Sequence, residues 1–272
     1  MSSLSITLIQ STLHWQDKPA NLAMFEHKIN AIKEKTEIVV LPEMFSTGFS
    51  MQPDLLAEAM DGATVDWMKR MAAQKKIIIT GSAIIEEQGN YFNRLLWILP
   101  NGQLGIYDKR HRFAFAGEDD HYTAGSKRLI ASVKGWKINL QVCYDLRFPV
   151  WARQSASAQP SPPGEGKETP EYDVLIYVAN WPERRSHAWK TLLQARAIEN
   201  QCYVIGVNRV GDDGNNIHYS GDSMVVDPLG EILYSKTQEE DVFTLTLQKE
   251  RLDEVRNKFP FWKDADSFSI LP

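Results

Sequence analysis

Short runs of β-branched and aliphatic residues alternate along the chain with longer stretches in which apolar positions recur every three or four residues. That alternation predicts an α/β layered fold. Candidate strands are Ser5–Leu8, Ile38–Leu41, Ile77–Thr80, Leu95–Leu99, Ile138–Val142, Val174–Val178, Val204–Val207, Met224–Val226 and Val242–Thr246. Candidate helices are Ala20–Lys35, Ala63–Gln74, His187–Asn200 and Leu252–Lys258. Gln154–Pro170 has no apolar period and is rich in Pro, Gly, Ser and charge, so it reads as a surface loop.

The pattern also echoes itself. WMKRMAAQKKIIITGSA from Trp67 and WKTLLQARAIENQCYVIGVN from Trp189 both run helix, apolar strand, glycine. Each is followed by a strand pair closed by a turn with proline early and glycine late, at Pro100 and at Pro228. The echo predicts two similar halves, each a sheet with its helices, packed as a four-layer α-β-β-α sandwich. Common supersecondary grammar can produce the same likeness without duplication.

Composition narrows the function classes. With 43% hydrophobic and 24% charged residues in 272, a sizeable core is expected, and no shift in composition marks a linker. Residues 1–272 therefore read as one domain, with 247–272 as a C-terminal extension. A net charge of -5 argues against a nucleic-acid partner, and no apolar run is long enough for a membrane span. The first residues, MSSLSITLIQ, read as a strand and lack the basic start of a signal peptide. Cys143 and Cys202 give neither a disulfide framework nor metal-like spacing, which fits a reducing cytoplasm. The six histidines include no paired metal-ligand spacing, so no metal and no cofactor is expected. His111 is the one placed near the candidate site, in a supporting role or exposed.

Three chemically able side chains share one situation, at or just past the end of a predicted strand: Glu43 after IVVLP, Lys109 after GQLGIYD, and Cys143 after WKINLQV. Carboxyl ends of strands form ligand crevices in α/β sheets, so the three can converge. A carboxylate can take the thiol proton, while an ammonium favours thiolate and an oxyanion; together they suit attack on a carbonyl or nitrile carbon. The plainer alternatives are a cap or turn role for Glu43, a solvated hairpin end for Lys109, and an inert core thiol for Cys143. Cys202, inside CYVIGV, reads as such a core thiol. Lys236 occupies the echoed position of Lys109 without cysteine or glutamate partners and reads as solvated.

The stretches VVLPEMFSTGF, YDKRHRF and LQVCYDLRFP resemble the nitrilase, or carbon-nitrogen hydrolase, superfamily, whose catalytic set is Glu, Lys and Cys in that order. ANWPERRSHAWKTLLQARAIENQCYVIGVNRVG and GDSMVVDPLGEI agree as well, so the resemblance runs from the first strand to about residue 246. It implies a nitrilase-type sandwich and a second glutamate, matched by Glu118 seven residues before Gly125; Asp119 and Asp120 compete for that place. It also implies the backbone N–H of Tyr144 as an oxyanion donor. The motifs CYDLRFP and ANWPERR are most similar to the ω-amidase branch, which hydrolyses the terminal amide of ω-amides of dicarboxylates such as α-ketoglutaramate. Arg147 would then hold the distal carboxylate, or else pair with Asp145, and Phe115 and Trp181 would wall the pocket. An N-carbamoyl hydrolase and a catalytically silent binding protein are the alternatives. Superfamily members commonly form homodimers or larger homo-oligomers, and the aromatic stretch FPFWKDADSFSIL can pack on a neighbour or fold back.

Overall fold

The computed structural model describes residues 2–154, 156, 157, 169–266 and 268–270. Strands in chain order are β1 (Ser3–Gln10), β2 (Ile38–Val40), β3 (Ile78–Glu87), β4 (Asn90–Ile98), β5 (Leu104–Asp108), β6 (Leu129–Val133) and β7 (Trp136–Val142). They continue with β8 (Ala156–Ser157), β9 (Thr169–Pro170), β10 (Val174–Val178), β11 (Tyr203–Val207), β12 (Val210–Asp212), β13 (His218–Val226), β14 (Ile232–Thr237) and β15 (Asp241–Gln248). The helices are α1 (Lys18–Ala31), α2 (Pro53–Leu56), α3 (Ala63–Lys75), α4 (Glu118–His121), α5 (Pro149–Ala152), α6 (Ser186–Asn200) and α7 (Lys249–Lys258).

The first sheet runs β15-β1-β2-β3-β4-β5; the second runs β6-β7-β10-β11-β13-β14, with β12 also paired to β13. Within each, an antiparallel edge strand precedes three parallel strands and then two antiparallel ones. The echo in the sequence is thus a shared strand order. Period-2 alternation explains why β2 is apolar throughout: Ile38 and Val40 face the core between the sheets, while Val39 faces a second core beneath α1 and α3. On the far side, Trp189, Leu193 and Ala197 of α6 cover the second sheet. The layers are α-β-β-α, as expected.

Two glycines allow close approach to their sheets, Gly81 by the segment after β2 and Gly206 by α6. A Cβ on Gly81 would meet Leu41 Cβ at 2.9 Å, and one on Gly206 would meet Leu193 Cδ1 and Trp189 Cζ2 at 2.6 Å. The preceding helices stop in the same way, with Lys76 and Gln201 in left-handed caps at φ 57° and 44°.

Several sequence boundaries need correction. The first helix spans Lys18–Ala31 and not Ala20–Lys35: Asp17 accepts the Ala20 N–H at 3.0 Å, and Ile32 is already extended because Lys33, Glu34 and Lys35 offer no apolar face. Strand β13 begins at His218, six residues before the apolar run. Its polar residues are buried because Asp222 accepts from Ser220 (2.6 Å), Ser186 (2.7 Å) and Thr237 (2.8 Å) at a β-bulge. The candidate strand Val242–Thr246 leaves the second half and pairs with β1 in the first sheet. Of the Gln154–Pro170 loop, Ser155 and residues 158–168 lie outside the described residues. The described part of the aromatic tail folds back, with Gln201 Nε2 donating to the Phe259 carbonyl (2.6 Å) and the Trp262 N–H donating to Gln201 Oε1 (3.1 Å). Among the described residues no helix is long and apolar enough to cross a membrane.

Candidate active site

Strands β2, β5 and β7 deliver Glu43, Lys109 and Cys143 to one buried locus, where the side chains of Glu43 and Lys109 are essentially inaccessible. The chain turns after β2 because Ser82 holds it: Ser82 Oγ accepts the Met44 N–H (2.8 Å) and its carbonyl accepts the Phe45 N–H (3.1 Å). Glu43 Oε1 then receives Lys109 Nζ (2.9 Å) and Asn93 Nδ2 (2.8 Å), while Oε2 receives the Asn180 N–H (2.8 Å).

Lys109 also donates to both Glu118 oxygens, at 2.9 and 2.8 Å. Glu118 opens α4 and accepts the Phe113 N–H at 2.6 Å, whereas Asp119 and Asp120 point to solvent. The competition among the three carboxylates is decided by burial. Gly125 makes this closure possible, since a Cβ there would lie 2.0 Å from the Asp108 carbonyl oxygen, and its N–H donates to the Lys109 carbonyl (3.0 Å).

Cys143 follows directly on β7, at φ 45°, and begins a tight turn through Arg147. A non-glycine residue in that region is strained, and Asp145 supplies the restraint. One Asp145 oxygen accepts the Val142 N–H (3.0 Å) and Tyr107 hydroxyl (2.7 Å); the other accepts the His111 N–H (3.0 Å) and meets His111 Nδ1 (2.8 Å). Asp145 thereby ties the end of β5, which carries Lys109, to the turn that carries Cys143. His111 stacks on Phe148 with centroids 3.8 Å apart, a supporting position.

Electrostatics follow from one ammonium among two carboxylates and a thiol. Burial would push the Lys109 ammonium down, but Glu118 and Glu43 outweigh it and hold Lys109 well above its ordinary value. Burial raises Glu118, with Glu43 adding to the effect and Lys109 opposing it. Burial also pushes the Cys143 thiol well above its usual range, and the Glu43 charge adds to this against the pull of Lys109. Lys109 favours the thiolate, but burial and the Glu43 charge outweigh it. The set can pass a proton from sulfur to carboxylate while a permanent cation stands beside them. Among the described residues no cluster of His, Cys, Asp and Glu is arranged to hold a metal ion.

Residues 5–257 match the carbon-nitrogen hydrolase family. The chain belongs to that family. Over 99% of its length and 100% of the relative's, it is 44% identical to an Escherichia coli protein named omega-amidase YafV. A Bacillus subtilis protein named 2-oxoglutaramate amidase is 29% identical across 96% of both chains. A solved CN-hydrolase superfamily protein from Xanthomonas campestris, with an arsenic adduct in its active site, superposes with a TM-score of 0.94 at 44% identity, covering 99% of this chain and 100% of that one. Nit3 of Saccharomyces cerevisiae, a member of branch 10 of the nitrilase superfamily, gives a TM-score of 0.80 at 25% identity, covering 95% and 94%.

Above Cys143 the hydrolase has a cavity of about 270 Å³, walled by Phe49, Phe113, Tyr144, Trp181 and Tyr219. Phe115 also lines it, while remaining 81% exposed. The Arg147 guanidinium lies over the Trp181 ring, 5.1 Å from its centroid, while the Asp145 oxygens are taken by Tyr107, His111 and Val142. Asn93, Asn180, Asp145 and Arg185 went unrecognised as site residues in the sequence. Asn180 and Arg185 sit inside ANWPERR and Asp145 inside CYDLRFP, so motif membership was the available signal. Asn93 had none beyond a polar position in an apolar strand. Lys236 pairs with Glu239 at 2.5 Å near the surface, and Cys202 is fully buried.

Proposed function

We propose that the protein is an ω-amidase that hydrolyses the terminal amide of ω-amides of dicarboxylates, such as α-ketoglutaramate, to the acid and ammonia. The observation that carries this reading is Arg147 over the Trp181 ring in the cavity above Cys143, with no ion pair among the described residues. A guanidinium so placed suits a substrate carboxylate, held through the two-pronged geometry that arginine favours. The relatives named omega-amidase and 2-oxoglutaramate amidase support the same substrate class.

In this mechanism the Cys143 proton leaves for Glu43 as sulfur attacks the amide carbon, because a thiol this hard to ionise needs the base at that moment. Lys109 and the Tyr144 N–H face the oxyanion that forms. The C–N bond then breaks, the Glu43 proton goes to the departing nitrogen, and ammonia leaves a thioester on Cys143. Water, deprotonated by Glu43, attacks that thioester; sulfur leaves and regains its proton. Glu118 orients Lys109, which keeps its charge throughout. A sulfur-centred site also suits the arsenic adduct of the Xanthomonas relative, since arsenic is thiophilic.

The test is a substrate panel of α-ketoglutaramate, propionamide and an N-carbamoyl amino acid, measuring ammonia and carbon dioxide. The ω-amide acid is expected to give the highest kcat/KM, with ammonia alone. Carbon dioxide release from the carbamoyl substrate at higher kcat/KM would overturn the reading in favour of an N-carbamoyl hydrolase. Cys143→Ala is expected to fold and to lose turnover altogether.

A further inference from the structure

We propose that Arg185 is a second substrate contact, which works with Arg147 to select a 2-oxo ω-amide acid over its 2-amino counterpart. This rests on the ω-amidase reading and adds a residue and a discrimination that reading does not supply. The charged side chains lining the cavity are Lys109, Arg147, Arg184, Arg185 and Asp213. Lys109 is committed to Glu43 and Glu118. Asp213 is committed to its own loop, accepting the Asn215 N–H (2.8 Å), the Ile217 N–H (3.0 Å) and the Tyr219 hydroxyl (3.0 Å). Three guanidiniums thus face the space above Cys143 against one occupied carboxylate.

Arg184 is exposed, whereas Arg185 is half-buried and lies over the Phe113 ring, 4.8 Å from its centroid. Arg147, itself exposed, and Arg185 each hold the guanidinium carbon over an aromatic ring of the cavity, 5.1 and 4.8 Å from its centroid. Neither has an ion pair among the described residues. A guanidinium held over a ring keeps N–H groups with which to meet a ligand. Burial and the charges of Arg184 and Arg147 lower the Arg185 pKa, while the Cys143 sulfur raises it, so Arg185 shares its field with both the proposed anchor and the proposed nucleophile.

Two guanidiniums are donors only. The head of a 2-oxo acid, a carboxylate beside a ketone oxygen, is acceptor only and anionic. The head of a 2-amino acid places an ammonium in the same position, which two nearby cations repel and to which they offer no acceptor. The proposed division is Arg147 on the carboxylate and Arg185 on the 2-oxo oxygen.

The experiment compares wild type, Arg185→Gln and Arg185→Lys on α-ketoglutaramate, glutamine and glutaramate, with urea midpoints as the folding check. Backbone bonds from Arg185 N–H to the Pro182 carbonyl and from Trp181 Nε1 to the Arg185 carbonyl are independent of the side chain. Arg185→Gln is expected to lower kcat/KM for α-ketoglutaramate by roughly 10- to 100-fold, mainly through KM, as for a lost charged hydrogen bond. Glutaramate, which lacks the ketone, should lose less, the preference over glutamine should shrink, and Arg185→Lys should fall between. An unchanged α-ketoglutaramate-to-glutamine ratio in both variants overturns the role of Arg185 while leaving the ω-amidase reading intact. Failure of the wild type on every ω-amide acid instead overturns the reading beneath it.

Discussion

Replacing Lys109 with methionine tests the buried charge cluster as a physical object. The side chain bridges Glu43 and Glu118 at 2.9 and 2.8 Å, and all three groups are fully buried. At an effective dielectric near 20, each contact corresponds to about 6 kcal/mol of gross attraction. Most of this offsets desolvation, and deleting one partner of such a cluster costs about 3–5 kcal/mol. The cost should depend on pH, and its sign can be worked out. Glu118 already sits above its ordinary value because of burial, with Glu43 adding and Lys109 opposing. Without Lys109 it rises further, so the folded variant holds a proton that the unfolded chain releases near the ordinary glutamate value of about 4.3. Between those two values the native state binds more protons, and stability falls as pH rises. Urea unfolding at pH 5 and pH 8 should therefore show the larger loss at pH 8, and adding Glu118→Gln should recover part of it. An equal loss at both pH values, or no recovery in the double variant, would refute the reasoning.

Other perturbations address single contacts. Glu43→Gln removes a charge that raises the Cys143 thiol, so thiolate absorbance at 240 nm should appear at lower pH than in wild type even as turnover disappears. Arg147→Lys should reduce kcat/KM on ω-amide acids far more than on propionamide, because the planar fork is lost; equal losses would remove Arg147 from the substrate site. Asp145→Asn turns one end of a four-donor acceptor into a donor, and the urea midpoint should fall by an amount corresponding to about 2–4 kcal/mol. Gly206→Ala drives a methyl against Leu193 and Trp189 at 2.6 Å and should cost about 1–3 kcal/mol without altering KM, which activity and denaturation assays together can check.

The parts of this molecule legible in the sequence are those governed by local periodicity. Strands buried on both faces, such as β2 and β10, appear as unbroken apolar runs, and the glycines at 81 and 206 mark the repeat. Glu43 and Cys143 stood out because each follows such a run, and Lys109 because it ends a predicted strand. Residues whose importance comes from partners far along the chain did not. Asn93 looks like any polar strand residue until its amide is seen shared between Glu43 and Glu118, 50 and 25 positions away. Asp145 invited pairing with the nearby Arg147, and only the packing of the two sheets brings Tyr107 and His111 to it. The polar half of β13 was invisible for the same reason, because hydroxyls from two other segments, Ser186 of α6 and Thr237 of β14, help make its burial possible.

The pairing of β15 with β1 has a consequence for how the molecule is made. Ser3 lies opposite Gln248 and Gln10 opposite Asp241, so β1 waits more than two hundred residues of synthesis for this neighbour. During that interval one edge of the parallel strands β1, β2 and β3 is bare, with hydroxyls such as Thr7 and Ser5 awaiting Thr244 and Thr246. A bare edge is a template for another chain, and the longest-range contacts close last. Ribosome-bound fragments that stop before residue 241 should therefore depend on chaperones in a way that fragments extending past 248 do not.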